Sequence, residues 1–134
     1  LRVVVSAGNA FDALRRRPPS SNAALFPRVP QLGVLRAVDV VVSHGGNNTT
    51  LEALAAGKPL VVVPFGGDQV QNARRVETLG VGVALSPDRL DERSVAAALD
   101  RALSCRERAA VIGRSLAGVD GTAASVALLE ALGS

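Results

Sequence analysis

Ser43-His44-Gly45-Gly46-Asn47-Asn48-Thr49-Thr50-Leu51-Glu52 joins a β-branched run, Val38 to Ser43, to a helix-length stretch, Thr50 to Ala56. A strand end that runs through glycines into a helix start predicts one unit of a parallel α/β layer, with the turn at the carboxyl edge of the sheet. The same stretch has the chemistry of an anion site. Glycines let a ligand approach the backbone, N–H groups at the helix N-terminus point outward, and the helix dipole favours negative charge there. His44 and the Thr49 hydroxyl add donors suited to phosphate oxygens. A tight turn with Thr49 as N-cap accounts for the spacing equally well, and Thr49-x-x-Glu52 reads as a capping box. Glu52 also suits a second use, accepting hydrogen bonds from the ribose hydroxyls of a nucleotide whose phosphates sit one turn away.

Working outward, the pattern repeats. Arg2 to Ser6, Val38 to Ser43, Leu60 to Pro64 and Val81 to Leu85 are short runs, apolar on both faces, as strands of a parallel sheet covered on both sides should be. Ala23 to Val29 is weaker and holds Pro27, which suits an edge strand. Helix-length stretches separate them at Phe11 to Arg16, Gln31 to Ala37, Thr50 to Ala56 and Gln69 to Leu79. The alternation predicts a Rossmann-like, doubly wound α/β fold. After Pro87 the chain turns helical, at Asp91 to Ser104, Arg106 to Leu116 and Thr122 to Leu132, with Gly118 and Gly121 marking a break. A second strand-to-helix junction, Pro64-Phe65-Gly66-Gly67-Asp68-Gln69, carries its own glycine pair. Asp68 there serves either as N-cap or, with Gln69, as a grip on sugar hydroxyls. The two junctions are expected to face one crevice.

Composition excludes several other classes. With 48% hydrophobic and 20% charged residues over 134 positions, the chain is too apolar for a disordered tail, and no apolar run reaches the roughly 20 residues of a membrane span. One folded domain, residues 1–134, is expected, and a cytoplasmic location. The single Cys105 allows neither an intrachain disulfide nor a multi-cysteine zinc site. Fifteen basic residues against twelve acidic invite a nucleic-acid reading, but the charge is scattered. The run Arg15-Arg16-Arg17 abuts Pro18 and Pro19 as a solvated loop, and only Phe11, Phe26 and Phe65 are available to stack on bases. The chain starts at Leu1 without a methionine or a leader and enters a buried-type strand at once, so a fragment lacking upstream sequence is expected.

Taken in order, Arg28-Val29-Pro30-Gln31, His44-Gly45-Gly46-Asn47-Asn48-Thr49-Thr50-Leu51-Glu52-Ala53, Gly57-Lys58-Pro59, Pro64, Asp68-Gln69, Asn72-Ala73 and Gly80-Val81-Gly82 resemble the donor-binding signature of GT-B nucleotide-sugar glycosyltransferases. The likeness is to bacterial antibiotic and macrolide glycosyltransferases and to their relatives, the plant UDP-glycosyltransferases, and it covers about Arg2 to Leu85. It implies the C-terminal, donor-binding half of a GT-B fold, taking a UDP- or dTDP-sugar for inverting transfer to a small natural-product acceptor. Val29 would hold the base through its backbone and Gln31 would pack beside base and ribose. His44, the Gly46 and Asn47 amides and Thr49 would bind the diphosphate, with Gly45 and Asn48 in the same nucleotide-binding loop, Glu52 would bind the ribose, and Asp68 with Gln69 the transferred sugar. No metal or other cofactor is implied, since His44 and the helix-terminus donors would do what Mg²⁺ does elsewhere.

The departures from that signature are also specific. Arg28 stands where plant members carry tryptophan, so the aromatic platform under the base is either missing or replaced by guanidinium stacking. The family's first strand with its glycine- or serine-containing loop does not appear before Leu1. Nor does the N-terminal acceptor domain, which supplies the histidine that deprotonates the acceptor, and no catalytic residue is assigned within these 134 residues. The partner expected is therefore that acceptor domain or a separate subunit, with self-association where the crevice side is uncovered. Two other readings stand beside this one: a non-catalytic donor-binding subunit, and a nucleotide-sugar epimerase, whose sequence context fits Val29-Pro30-Gln31 and Asp68-Gln69 less well.

Overall fold

The computed structural model describes residues 1–17 and 21–117; the expected helix Thr122 to Leu132, together with Pro18, Pro19, Gly118 and Gly121, lies outside the described residues. The chain divides into two compact units, Leu1–Val34 and Leu35–Ser134. In the first, β1 (Val3–Ser6) leads through a short 3-10 turn to α1 (Phe11–Leu14) and then β2 (Ala23–Phe26). The strands pair in parallel, Val3 opposite Ala23 through Ser6 opposite Phe26. Pro27, which has no N–H to give a ladder, follows directly on the end of β2. Burial along β1 alternates between half-buried and exposed residues, so Val4 is exposed where the apolar run predicted cover on both faces, while the exposed Phe26 at the end of β2 fits the edge-strand reading of that segment. Arg15, Arg16 and Arg17 are exposed, with Arg15 meeting Asp12 at 2.9 Å on the surface, which matches the solvated-loop reading.

α2 (Gln31–Ala37) has the bounds that the sequence predicts. The second unit then follows as β3 (Val41–Ser43), α3 (Asn47–Ala55), β4 (Leu60–Val62), α4 (Asp68–Thr78), β5 (Gly82–Ala84), a 3-10 turn, α5 (Glu92–Ser104) and α6 (Arg106–Ala117). Its three strands are parallel, in the order β3-β4-β5. The central strand β4 is wholly buried and shows why its run is apolar throughout. Leu60 and Val62 pack with Ala53, Leu54, Ala73, Val76, Val81 and Ala109 on one face. Val61 points the other way, to Val83, Ala98 and Ala102. Leu60, Val61 and Val62 each contribute about 1.5–3 kcal/mol by leaving water, so this strand anchors the unit. Both strand ends that carry glycine pairs are thereby held on a rigid base.

Cap chemistry fixes the start of α5. Asp91 accepts from the Ser94 N–H at 2.7 Å, and the Asp91 N–H donates to Ser94 Oγ at 3.1 Å, a reciprocal capping box. The Ser94 backbone and side-chain hydrogen bonds favour the charged carboxylate and hold Asp91 below its ordinary 3.8. A lowered carboxylate stabilises the fold above its unfolded value and ceases to do so as pH falls through the folded one. The melting-temperature gap between wild type and Asp91→Ala should therefore be constant at neutral pH and narrow below pH 3.8. Thermal melts across an acid series check this; a gap that persists undiminished at the lowest pH would remove the charge from the cap's account. Among the described residues no helix is long and apolar enough to cross a membrane.

Candidate functional site

β3 and β4 are parallel neighbours with Ser43 opposite Val62, so the loops that follow them leave the same sheet edge side by side. The first loop turns into α3 three residues earlier than expected. Gly46 is the N-cap, with extended backbone (φ −61°, ψ 147°), and the Thr50 N–H donates to its carbonyl at 3.0 Å. Thr49 is therefore not the N-cap but lies in the first turn, and Thr49 and Glu52 are two residues within one helix instead of a capping box. Because a glycine cap has no side chain to satisfy the first-turn amides, those of Asn47 and Asn48 remain directed out of the helix end. His44, Gly46, Asn47, Asn48 and Thr49 line an open depression of about 340 Å³ there. The His44 ring lies over Gly46: a Cβ at that position would stand 2.7 Å from Nε2. Glu52 is half-buried on the same helix.

The second loop is shaped by Gly66 (φ 151°) and Gly67 (φ 59°, ψ −135°), both at a positive φ that glycine adopts without steric cost. Gly67 is the N-cap of α4, so Asp68 is the first helical residue and not the cap. Gln69 uses its Oε1 to accept the Phe65 N–H at 2.9 Å, closing its own turn and leaving Nε2 as the donor it can offer a ligand. Asp68 is exposed, and the Phe65 ring is 72% exposed. Val29 precedes α2 and Gln31 opens it, the former half-buried and the latter exposed. Among the described residues no group of three or more His, Cys, Asp or Glu is arranged to hold a metal ion.

One residue that no role was assigned to from sequence ties the two junctions together. Asn72, on α4, is 6% exposed, and its Nδ2 donates to the Gly45 carbonyl at 2.8 Å and to Asn47 Oδ1 at 2.7 Å. Gly45 itself is pressed against the sheet and α4, where a Cβ would stand 2.6 Å from Val62 Cγ1 and 3.4 Å from the Gln69 carbonyl. The sequence holds a usable signal for Asn72: it shares one helical face with Ala73 and Val76, both buried, so the amide falls on an apolar stripe where it must find partners.

The sequence profile of the erythromycin biosynthesis protein CIII-like C-terminal domain matches residues 3–117. The uncharacterized UDP-glucosyltransferase YojK of Bacillus subtilis (strain 168) is 35% identical over 135 aligned positions, covering 98% of this chain and 33% of YojK. The crystal structure of the glycotransferase of kitacinnamycin superposes with a TM-score of 0.86 at 31% identity, over 96% of this chain and 34% of that one. The calicheamicin glycosyltransferase CalG4 superposes with a TM-score of 0.85 at 33% identity, over 97% of this chain and 35% of that one. The chain thus spans about a third of the length of these relatives.

Proposed function

The chain belongs to the family of erythromycin biosynthesis protein CIII-like C-terminal domains of GT-B glycosyltransferases, and from that premise we propose that it binds the nucleotide-sugar donor for glycosyl transfer. The observation that carries this reading is the glycine-capped start of α3, where His44, Gly46 and Asn47 border one open depression. In transfer, the bond from the anomeric carbon to the diphosphate oxygen breaks and negative charge accumulates on the leaving group. Donors already fixed at a helix N-terminus stabilise that charge without reorganising. The donor is a UDP- or dTDP-sugar, held without a metal. Glu52 takes the ribose hydroxyls, and Asp68 with the Gln69 Nε2 takes the sugar. Val29 and Gln31 carry the base, an assignment that rests on the family resemblance.

Inverting transfer requires an acceptor oxygen and a base on the face of the sugar opposite the diphosphate. His44 is the chain's one histidine, and in this reading it serves the phosphate. The base and the acceptor site, for a small natural-product hydroxyl, then come from an acceptor-binding domain or subunit, in the cytoplasm. The exposed Phe65 supplies apolar surface on the same edge for such a partner.

Calorimetry tests the donor assignment. UDP should bind at least about tenfold more tightly than uridine, because hydrogen bonds to a charged group contribute about 1.5–3 kcal/mol each and only the diphosphate meets the α3 donors. Equal affinities for UDP and uridine would refute it.

A further inference from the structure

Asn72 determines which atoms the anion loop presents. The Gly45 carbonyl can only accept, so the Asn72 amide must turn its Nδ2 toward it. The same Nδ2 stands 2.7 Å from the Asn47 amide, which must then offer its oxygen. Both Nδ2 hydrogens are thereby used, and two acceptors of the loop, the Gly45 carbonyl and Asn47 Oδ1, are drawn toward α4. What Asn47 retains for a ligand is its Nδ2 donor and its backbone N–H. Were the Asn47 amide to turn over, a carbonyl oxygen would face the depression that it lines with His44, Gly46, Asn48 and Thr49, and an oxygen there repels an anion.

We propose that Asn72 is a positioning residue that makes the α3 anion loop donor-only, setting the orientation of the Asn47 amide and holding the Gly45 carbonyl away from the phosphates. This rests on the donor-binding reading above. It gives a specificity role to a buried side chain outside the lining of the depression: Asn72 favours the diphosphate over the nucleoside by removing acceptors, in addition to whatever it does for the fold.

The test measures UDP and uridine affinities by calorimetry on the 134-residue chain and on two variants. Asn72→Leu keeps the branching at Cγ and the number of side-chain heavy atoms and removes both bonds. Asn47→Asp keeps an oxygen for Asn72 to donate to and replaces the remaining donor by a carboxylate oxygen. Both variants should lose UDP affinity by about tenfold or more, the value of a charge-assisted hydrogen bond, while uridine affinity stays as in wild type. Asn72→Leu should also melt lower. If Asn72→Leu does not fold, Asn72→Ser decides in its place, because a hydroxyl carries one hydrogen and cannot hold both the Gly45 carbonyl and Asn47 Oδ1. A variant that retains the wild-type ratio of UDP to uridine affinity overturns the proposal, whatever its melting temperature, since a purely structural role moves both ligands together. A wild-type chain without any preference for UDP is a different failure, that of the diphosphate assignment itself.

Discussion

Gly82→Ala is expected to destabilise the chain by about 3 kcal/mol or more, the upper part of the range for overpacking a filled core. Gly82 opens β5 opposite Leu60. A Cβ there would overlap the Leu60 carbonyl oxygen and stand 2.8 Å from Val76 Cγ1. None of these neighbours can yield at low cost. The carbonyl belongs to the central strand, Leu60 is 0% and Val76 1% exposed, and separating β5 from β4 would break the ladder that covers both. A glycine within an apolar strand run marks such a close backbone approach.

Gly113→Ala sets the scale. Its Cβ would stand 2.7 Å from Gly57 Cα and 2.9 Å from the Leu54 carbonyl, also backbone. Within α6, however, alanine recovers about 1 kcal/mol of helix propensity, which offsets part of the clash, so Gly113→Ala should be the milder of the two. Urea denaturation with an unchanged m-value measures both. A Gly82→Ala variant within about 0.5 kcal/mol of wild type would mean that β5 sits farther from β4 than the structure places it.

These glycines mark where sequence reading stops. α2 is legible to the residue, and the buried β4 is legible as an unbroken apolar run, because burial on both faces leaves only one kind of side chain. The strand ends are not. Val63 is 7% exposed and its N–H still donates to Ser43, yet it lies past the end of β4, so hydrophobicity outlasts the strand. α3 begins at Asn47 although Asn, Asn and Thr are weak helix formers that read as loop. The bond from Asn72, 25 residues away, holds Asn47 at that end, and no local propensity can report it. The candidate site divides in the same manner. Gly45 to Glu52 and Asp68-Gln69 stand out by glycine and polar content, whereas Asn72 shows only as a polar residue on the apolar stripe of α4, and its bonds to Gly45 and Asn47 are visible only in the structure.

Gly45→Ala should lower UDP affinity by about tenfold or more and also reduce stability, and the two losses have one origin. At φ +87° an L-residue is strained, at a cost of about 1 kcal/mol or more. The added Cβ would also stand 2.6 Å from Cγ1 of Val62, which is 0% exposed and fixed in the central strand. Relief must come from the loop moving away from α4. That movement stretches the Asn72 bond to the Gly45 carbonyl and tilts the Asn47 amide with it. Strain and clash can be separated with Val62→Ala, which removes Cγ1 and leaves the backbone conformation alone. The double variant Gly45→Ala/Val62→Ala should be less destabilised than the sum of the single changes, with a coupling of about 0.5–3 kcal/mol expected of groups in contact. Part of the UDP affinity should return as the loop settles back on the sheet. Strictly additive stabilities with no recovery of affinity would leave backbone strain as the whole cause and remove Val62 from the description of the site.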